Sequence, residues 1–281
     1  MSKLKALQTA GHYAWDISKN DISSVMRGLK DMTNTILWQH VQKLLIDIQE
    51  RRNKIDDICS IEIGAGLGKL SCLLGLYGVT TTLLESSQVS LRNAKELGKK
   101  LGLHPKLIFA DALYLPEQVR GKYDLAVSLG VNEHFLEEAR QKIFDAHCQA
   151  LKLGGWAVIS VPNSMCICYR LAMQVFKWTK RWPEDLIEKP FTKGELKTRM
   201  KYAGFKKITV WSGSKPKDDF HFFFISNVKA LLRKISGRRS ENPSSRPVTV
   251  KELCDAIRQE RAYSPFISNH SYSLLAIGQR Q

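Results

Sequence analysis

The sequence predicts an α/β protein built on an open, mostly parallel sheet, and three observations point there. A β-type run, Ile58-Cys59-Ser60-Ile61, turns through glycines at 64, 66 and 68 into a helical stretch from Lys69 to Leu76. Strand, glycine turn and helix in that order make the phosphate- or nucleotide-approach corner of open α/β sheets. Further short apolar runs then alternate with helical segments down the chain. Finally, 281 residues with 43% hydrophobic and 25% charged side chains can bury one full core and carry extra elements, so a single elaborated domain is expected. The corner itself reads Ile61-Glu62-Ile63-Gly64-Ala65-Gly66-Leu67-Gly68. Glycine suits it because a Cβ would hold the backbone away from a ligand and some of these positions call for positive φ. A dinucleotide fold wants a third small residue one step later, where this chain has Lys69.

The elements follow in order. Residues 1–50 lack strand patterning and show helical stripes: Ile22, Val25, Met26 and Leu29, then Ile36, Leu37, Val41, Leu44, Leu45 and Ile48. Val79 to Leu84, ending in Glu85, is the second strand, and Leu107 to Ala112 the third. Tyr123 to Ser128 is the fourth, and Gly154-Gly155 turn into a fifth at Trp156 to Ile159. Pro162 and Asn163 break that pattern. Tyr169 to Phe176 reads as an amphipathic helix running into Trp178 and Trp182. Thr192 is the N-cap of the next helix, with Glu195 at the capping-box position. Lys207 to Trp211 is a sixth strand, Val250 to Arg261 a short helix, and Ser271 to Gly278 a seventh strand.

The acidic-x-Gly-x-Gly-x-Gly pattern of Glu62 to Gly68, with the strand-end signatures that follow it to about residue 162, resembles the class I S-adenosylmethionine-dependent methyltransferases. The resemblance implies a Rossmann-like seven-stranded sheet, mostly parallel with the last strand antiparallel, and S-adenosyl-L-methionine as cofactor. It further implies a cofactor site made of Glu62, Gly64, Ala65, Gly66, Gly68, Glu85, Ser86, Asp111, Ala112 and Ser128. In that family the acid at the end of the second strand grips the ribose hydroxyls, here Glu85. The acid after the third strand, here Asp111, contacts the adenine amino group, with the NH of Ala112 toward the ring. Gly130-Val131-Asn132-Glu133-His134-Phe135 resembles the segment after strand four in ubiquinone-biosynthesis-type O-methyltransferases. Some of those relatives bind a divalent metal through a further Glu, three residues before the Glu-His pair. Gly130 stands at that position, so no metal is expected.

The expected division is a helical N-terminal cap over 1–50, a methyltransferase core over 51–212, a basic and aromatic insert over 213–270, and a final core strand over 271–281. The insert separates two strands that the family usually joins by a short hairpin. From Asn163 to Arg239 there are 18 Lys and Arg against 6 Asp and Glu, which is +12 of the chain's +16. The run Phe220 to Ile225, followed by Val228, Leu232 and Ile235 beside Lys229, Arg233 and Lys234, suits either an anionic membrane surface or a lid with solvated lysines. Phosphate contacts with nucleic acid need only such Lys and Arg density. The base-methylase Pro-Pro-Tyr/Phe motif and the Pro-Cys/Thr-Cys pairs of RNA cytosine methylases are nonetheless missing. The favoured reading is therefore an enzyme that methylates a small or lipid-like acceptor, most readily at oxygen. The alternatives are an RNA or protein methylase, and a non-catalytic binding module of the same fold.

His134 is the candidate base, with a cofactor-site role and a helix-start structural role as the other readings. Tyr13 and Trp15 either contact substrate or anchor the prelude, and Asn163 is a further substrate-binding candidate. Six cysteines without paired spacing point to free thiols in a reducing, cytoplasmic setting, and the basic insert adds a position at a membrane's edge as the alternative. Cys166 and Cys168 read as packing.

Overall fold

The computed structural model describes residues 22–52, 57–178, 186–213, 247–259 and 271–281. Among these residues seven strands form one sheet: β1 (Cys59–Ile63), β2 (Thr80–Glu85), β3 (Lys106–Phe109), β4 (Tyr123–Leu129), β5 (Leu151–Pro162), β6 (Phe205–Ser212) and β7 (Ser273–Arg280). Their order across the sheet is β3-β2-β1-β4-β5-β7-β6. The pairs β1–β2, β1–β4, β2–β3 and β4–β5 are parallel, while β7 runs antiparallel to both β5 and β6. The helices are α1 (Ile22–Met32), α2 (Ile36–Arg52), α3 (Lys69–Tyr77), α4 (Gln88–Lys100), α5 (Glu137–Ala150), α6 (Ile167–Trp178), α7 (Lys193–Tyr202) and α8 (Val250–Arg258).

Both faces of the sheet are buried, so its central strands are apolar almost throughout and successive residues serve opposite cores. Leu125, Val127, Val158, Leu275 and Ile277 face a core shared with α1, α2, α3 and α8. Ala126, Ala157, Ile159, Leu274 and Ala276 face the other core, closed by Ile143 and Phe144 of α5 and by Leu196 and Met200 of α7. The strand order reverses between β1 and β4, which places the ligand-receiving crevice at their carboxyl ends.

Several local expectations are refined. The glycine pair does not precede the fifth strand but lies within it: β5 starts at Leu151, and its register with β4 shifts between Tyr123 and Leu125. A Cβ at Gly155 would sit 3.0 Å from Lys152 O and 3.1 Å from Tyr123 O, so the pair serves a bulge. Thr192 caps α7 by accepting from Glu195 N, but the Glu195 carboxylate turns away to Arg140 at 2.8 Å. The reciprocal capping box forms instead at α8, between Thr249 and Glu252. That helix packs into the core with α1 and α2. Leu253 and Ile257 are fully buried, and Gln42 Nε2 donates to Ile257 O at 3.1 Å.

Candidate active site

The glycine corner adopts the conformation its sequence calls for. Gly64, Gly66 and Gly68 have φ of 66°, 53° and 64°, values that cost an L-residue steric energy. Space is tight as well: a Cβ at Gly64 would lie 2.8 Å from Val131 Cγ1, and one at Gly68 2.3 Å from Leu83 Cδ2. Glu62 is buried beneath the loop, and its Oε2 accepts from Ser71 N at 2.8 Å in the first turn of α3. Burial pushes this carboxyl up to about 7, with the Ser71 hydrogen bond pulling the other way.

The ends of β2 and β3 bring two more acids to the same edge. Glu85 accepts from Gly66 N through Oε2 and from Ser87 N through Oε1, both at 2.9 Å. It also takes a longer bond from Ser86 Oγ at 3.4 Å. Asp111 stands two residues beyond β3, and Oδ1 accepts from Leu113 N at 2.9 Å, starting a 3-10 turn at Ala112. Ser128 points inward at the end of β4 and donates to Asn132 Oδ1 at 3.1 Å, with both side chains fully buried. It thereby shapes the turn that carries Val131 against Gly64. Open backbone at three glycines, then a carboxylate at β2 and another after β3, fits a nucleoside with a ribose diol and an exocyclic amine.

His134 closes a short 3-10 turn after β4. Its Nδ1 lies 2.7 Å from Ile187 O, and a neutral imidazole facing a carbonyl must donate through that nitrogen. The lone pair then resides on Nε2. A second bond, Lys189 N to Glu133 O at 2.9 Å, joins the same two segments. Glu133 is almost fully enclosed, and burial together with the nearby Glu188 pushes it up to about 8, opposed by Arg140. Tyr169 of α6 donates to Glu188, and burial and that carboxylate raise its phenol.

Arg140 joins the site although its sequence context does not single it out. Its side chain is fully buried on α5, donating to Phe135 O, Lys189 O, Pro190 O and Glu195, with its guanidinium carbon 3.4 Å from the Phe191 ring centroid. The sequence signal was an Arg on the same helical face as Ile143, Phe144 and His147. Asn163 is placed as a clasp: Nδ2 donates to Ser271 O at 2.8 Å and Oδ1 accepts from Met165 N at 3.0 Å. Tyr13 and Trp15 lie outside the described residues, as does most of 213–270. Cys166 is buried against Tyr169 and Ala172, with Cys168 packed beside them.

Residues 37–210 match the family model described as a methyltransferase domain. The chain shares 25% identity over 142 residues with the ubiquinone biosynthesis O-methyltransferase of Rickettsia canadensis, covering 50% of this chain and 58% of that relative's length. A putative sarcosine dimethylglycine methyltransferase from Galdieria sulphuraria superposes with a TM-score of 0.51 at 17% identity, over 85% of this chain and 84% of the other. Magnesium protoporphyrin IX methyltransferase from Synechocystis, solved with S-adenosylhomocysteine, superposes with a TM-score of 0.50 at 13% identity, over 86% and 83%. The chain belongs to the methyltransferase domain family. Its fold is that of the class I S-adenosylmethionine-dependent methyltransferases, and it spans 58% of the length of the ubiquinone biosynthesis relative it matches.

Proposed function

We propose that the acceptor is a small, lipid-like molecule methylated at a hydroxyl oxygen. One observation carries this reading: the Ile187 carbonyl holds His134 in the tautomer whose Nε2 can take a proton, at the carboxyl end of β4. The likeness to a ubiquinone biosynthesis O-methyltransferase supports it.

When bound, S-adenosylmethionine would supply an electrophilic methyl group, its methyl–sulfur bond breaking to leave S-adenosylhomocysteine. The chain's own tasks are to hold that cofactor, align the acceptor and remove its proton. Glu62 and the three glycines shape the loop, Glu85 and Asp111 supply acceptors for the ribose and the adenine amine, and the buried Ser128–Asn132 pair fixes the β4 turn. His134 Nε2 takes the hydroxyl proton as the oxygen gains its methyl group. The resulting imidazolium keeps its Nδ1–H bond to Ile187 O. A general base of this kind is worth about 10²–10⁴ in rate.

The test is His134→Ala, assayed for methyl transfer to catechol-type and prenylated phenol acceptors and for S-adenosylhomocysteine affinity. A rate lowered about a hundredfold or more with affinity kept supports the base. Affinity lost in proportion to the rate assigns His134 to the cofactor pocket, and unchanged rate and affinity make it structural.

A further inference from the structure

Helix α6 is apolar on two opposite sides. Tyr169 and Ala172 are buried on the inner side, with Met173 and Phe176 packed beside them. On the outer side Ile167 is 59% exposed, Leu171 51%, Val175 52% and Trp178 86%. At roughly 100° per residue, these four fall within about 80° of arc, nearly opposite Tyr169. Arg170, Gln174 and Lys177 are exposed beside the stripe. The helix contains no acid, and Lys180 and Arg181 follow it in the sequence. A tryptophan left so far in water is uncommon, and an exposed apolar run on one helix marks a contact surface.

We propose that the outer stripe of α6 docks the enzyme on an anionic phospholipid bilayer, lying flat in the headgroup region beside the acceptor site. Three observations choose this occupant. The charged side chains beside the stripe, Arg170 and Lys177, are both cations and complement lipid phosphate, and the tryptophan stands at the helix end, where an interfacial ring is at home. The chain's charge of +16 attracts the same surface over a longer range. The helix also starts five residues beyond β5, at the carboxyl-end edge that carries the active site, and its Tyr169 binds Glu188, next to the Ile187 that holds His134. A membrane on this face would deliver a lipid-like acceptor to that edge. A second copy fits less well: the helix is only about 18 Å long, so its stripe falls well short of the ~800 Å² per partner of a stable interface.

The purpose of the contact rests on the lipid-like acceptor proposed above, but binding itself is measured without methyl transfer. The full-length protein is sedimented with vesicles of phosphatidylglycerol and phosphatidylcholine, and with phosphatidylcholine alone, at low salt. Retention on the anionic vesicles is expected, with a loss of at least tenfold in partitioning for Ile167→Ser/Leu171→Gln/Trp178→Ser. These positions are exposed, so circular dichroism and S-adenosylhomocysteine affinity should match the parent and show the fold intact. Three results overturn the proposal: no retention of the parent, equal retention of the triple variant, or a parent dimer in sedimentation velocity that the variant abolishes. Failure here leaves the His134 reading untouched, and a soluble phenol methylated by a non-binding enzyme would show the two parting.

Discussion

His147 has one ring nitrogen satisfied and is out of contact with solvent: Nδ1 donates to Ile143 O at 2.6 Å, and the side chain is fully enclosed. Burial pulls its pKa down to about 4, the backbone bond opposing. In the unfolded chain the group titrates near 6.5, so between pH 6.5 and 4 the unfolded state holds a proton that the folded state refuses. Stability from this residue is complete above 6.5 and falls by about 3 kcal/mol as pH drops through that window. Glu62 and Glu133 act in the opposite sense. Their carboxyls, raised to about 7 and about 8, favour the fold at low pH and lose that contribution as pH rises through those values. Comparing the parent with His147→Leu isolates the histidine. The stability difference between them should shift against the parent between pH 6.5 and 4.5 in urea titrations, and a pH-independent difference would show that His147 is protonated in the fold. At this scale the sequence was uneven. The three glycines and Glu62 were legible because a tight turn needs those residue types. Asn163 was not legible as a clasp, since its partner Ser271 lies 108 residues away.

Between elements, the segment 186–191 works as a strap across the carboxyl ends of β4 and β5. Phe191 bridges to Asn163, Lys189 bonds Glu133, and Ile187 bonds His134. Arg140 secures it from α5, and the planar fork is what allows one side chain to serve carbonyls and a carboxylate together. Arg140→Met should therefore destabilise the protein by about 3–5 kcal/mol, because it strands buried carbonyls and the Glu195 charge. Arg140→Lys should recover only part of that loss. Denaturant midpoints at constant slope would measure it, and a methionine variant as stable as the parent would remove Arg140 from this role. The periodicity of the strands and helices was readable locally. The strap was not, because a lone Arg in an amphipathic helix looks like solvated charge and the segment itself has no regular pattern. The capping box was misplaced for the same reason: Glu195 had the right spacing, and a buried guanidinium competed for it.

Across the whole molecule, the sheet order and the two-sided core follow from strands whose alternate residues are apolar on both faces, together with a crossover helix between parallel neighbours. β7 was readable as a strand from the far C-terminal run, about sixty residues beyond β6, and its antiparallel sense came with the family resemblance, but its place between β5 and β6 was not legible in the sequence. Less readable was that α8, within the stretch expected to cover the site, inserts Leu253 and Ile257 into the core under α2. Its amphipathic pattern showed a helix but not the surface it would meet. Among the described residues no helix is long and apolar enough to cross a membrane. The cofactor edge at β1, β2 and β3 is tested by calorimetric titration of S-adenosylhomocysteine into the parent and Glu85→Ala. Saturable one-site binding is predicted for the parent. At least about a tenfold loss is predicted for the variant, from bonds to a charged acceptor worth roughly 1.5–3 kcal/mol each. A parent that does not bind, or a variant that binds as tightly, would contradict it.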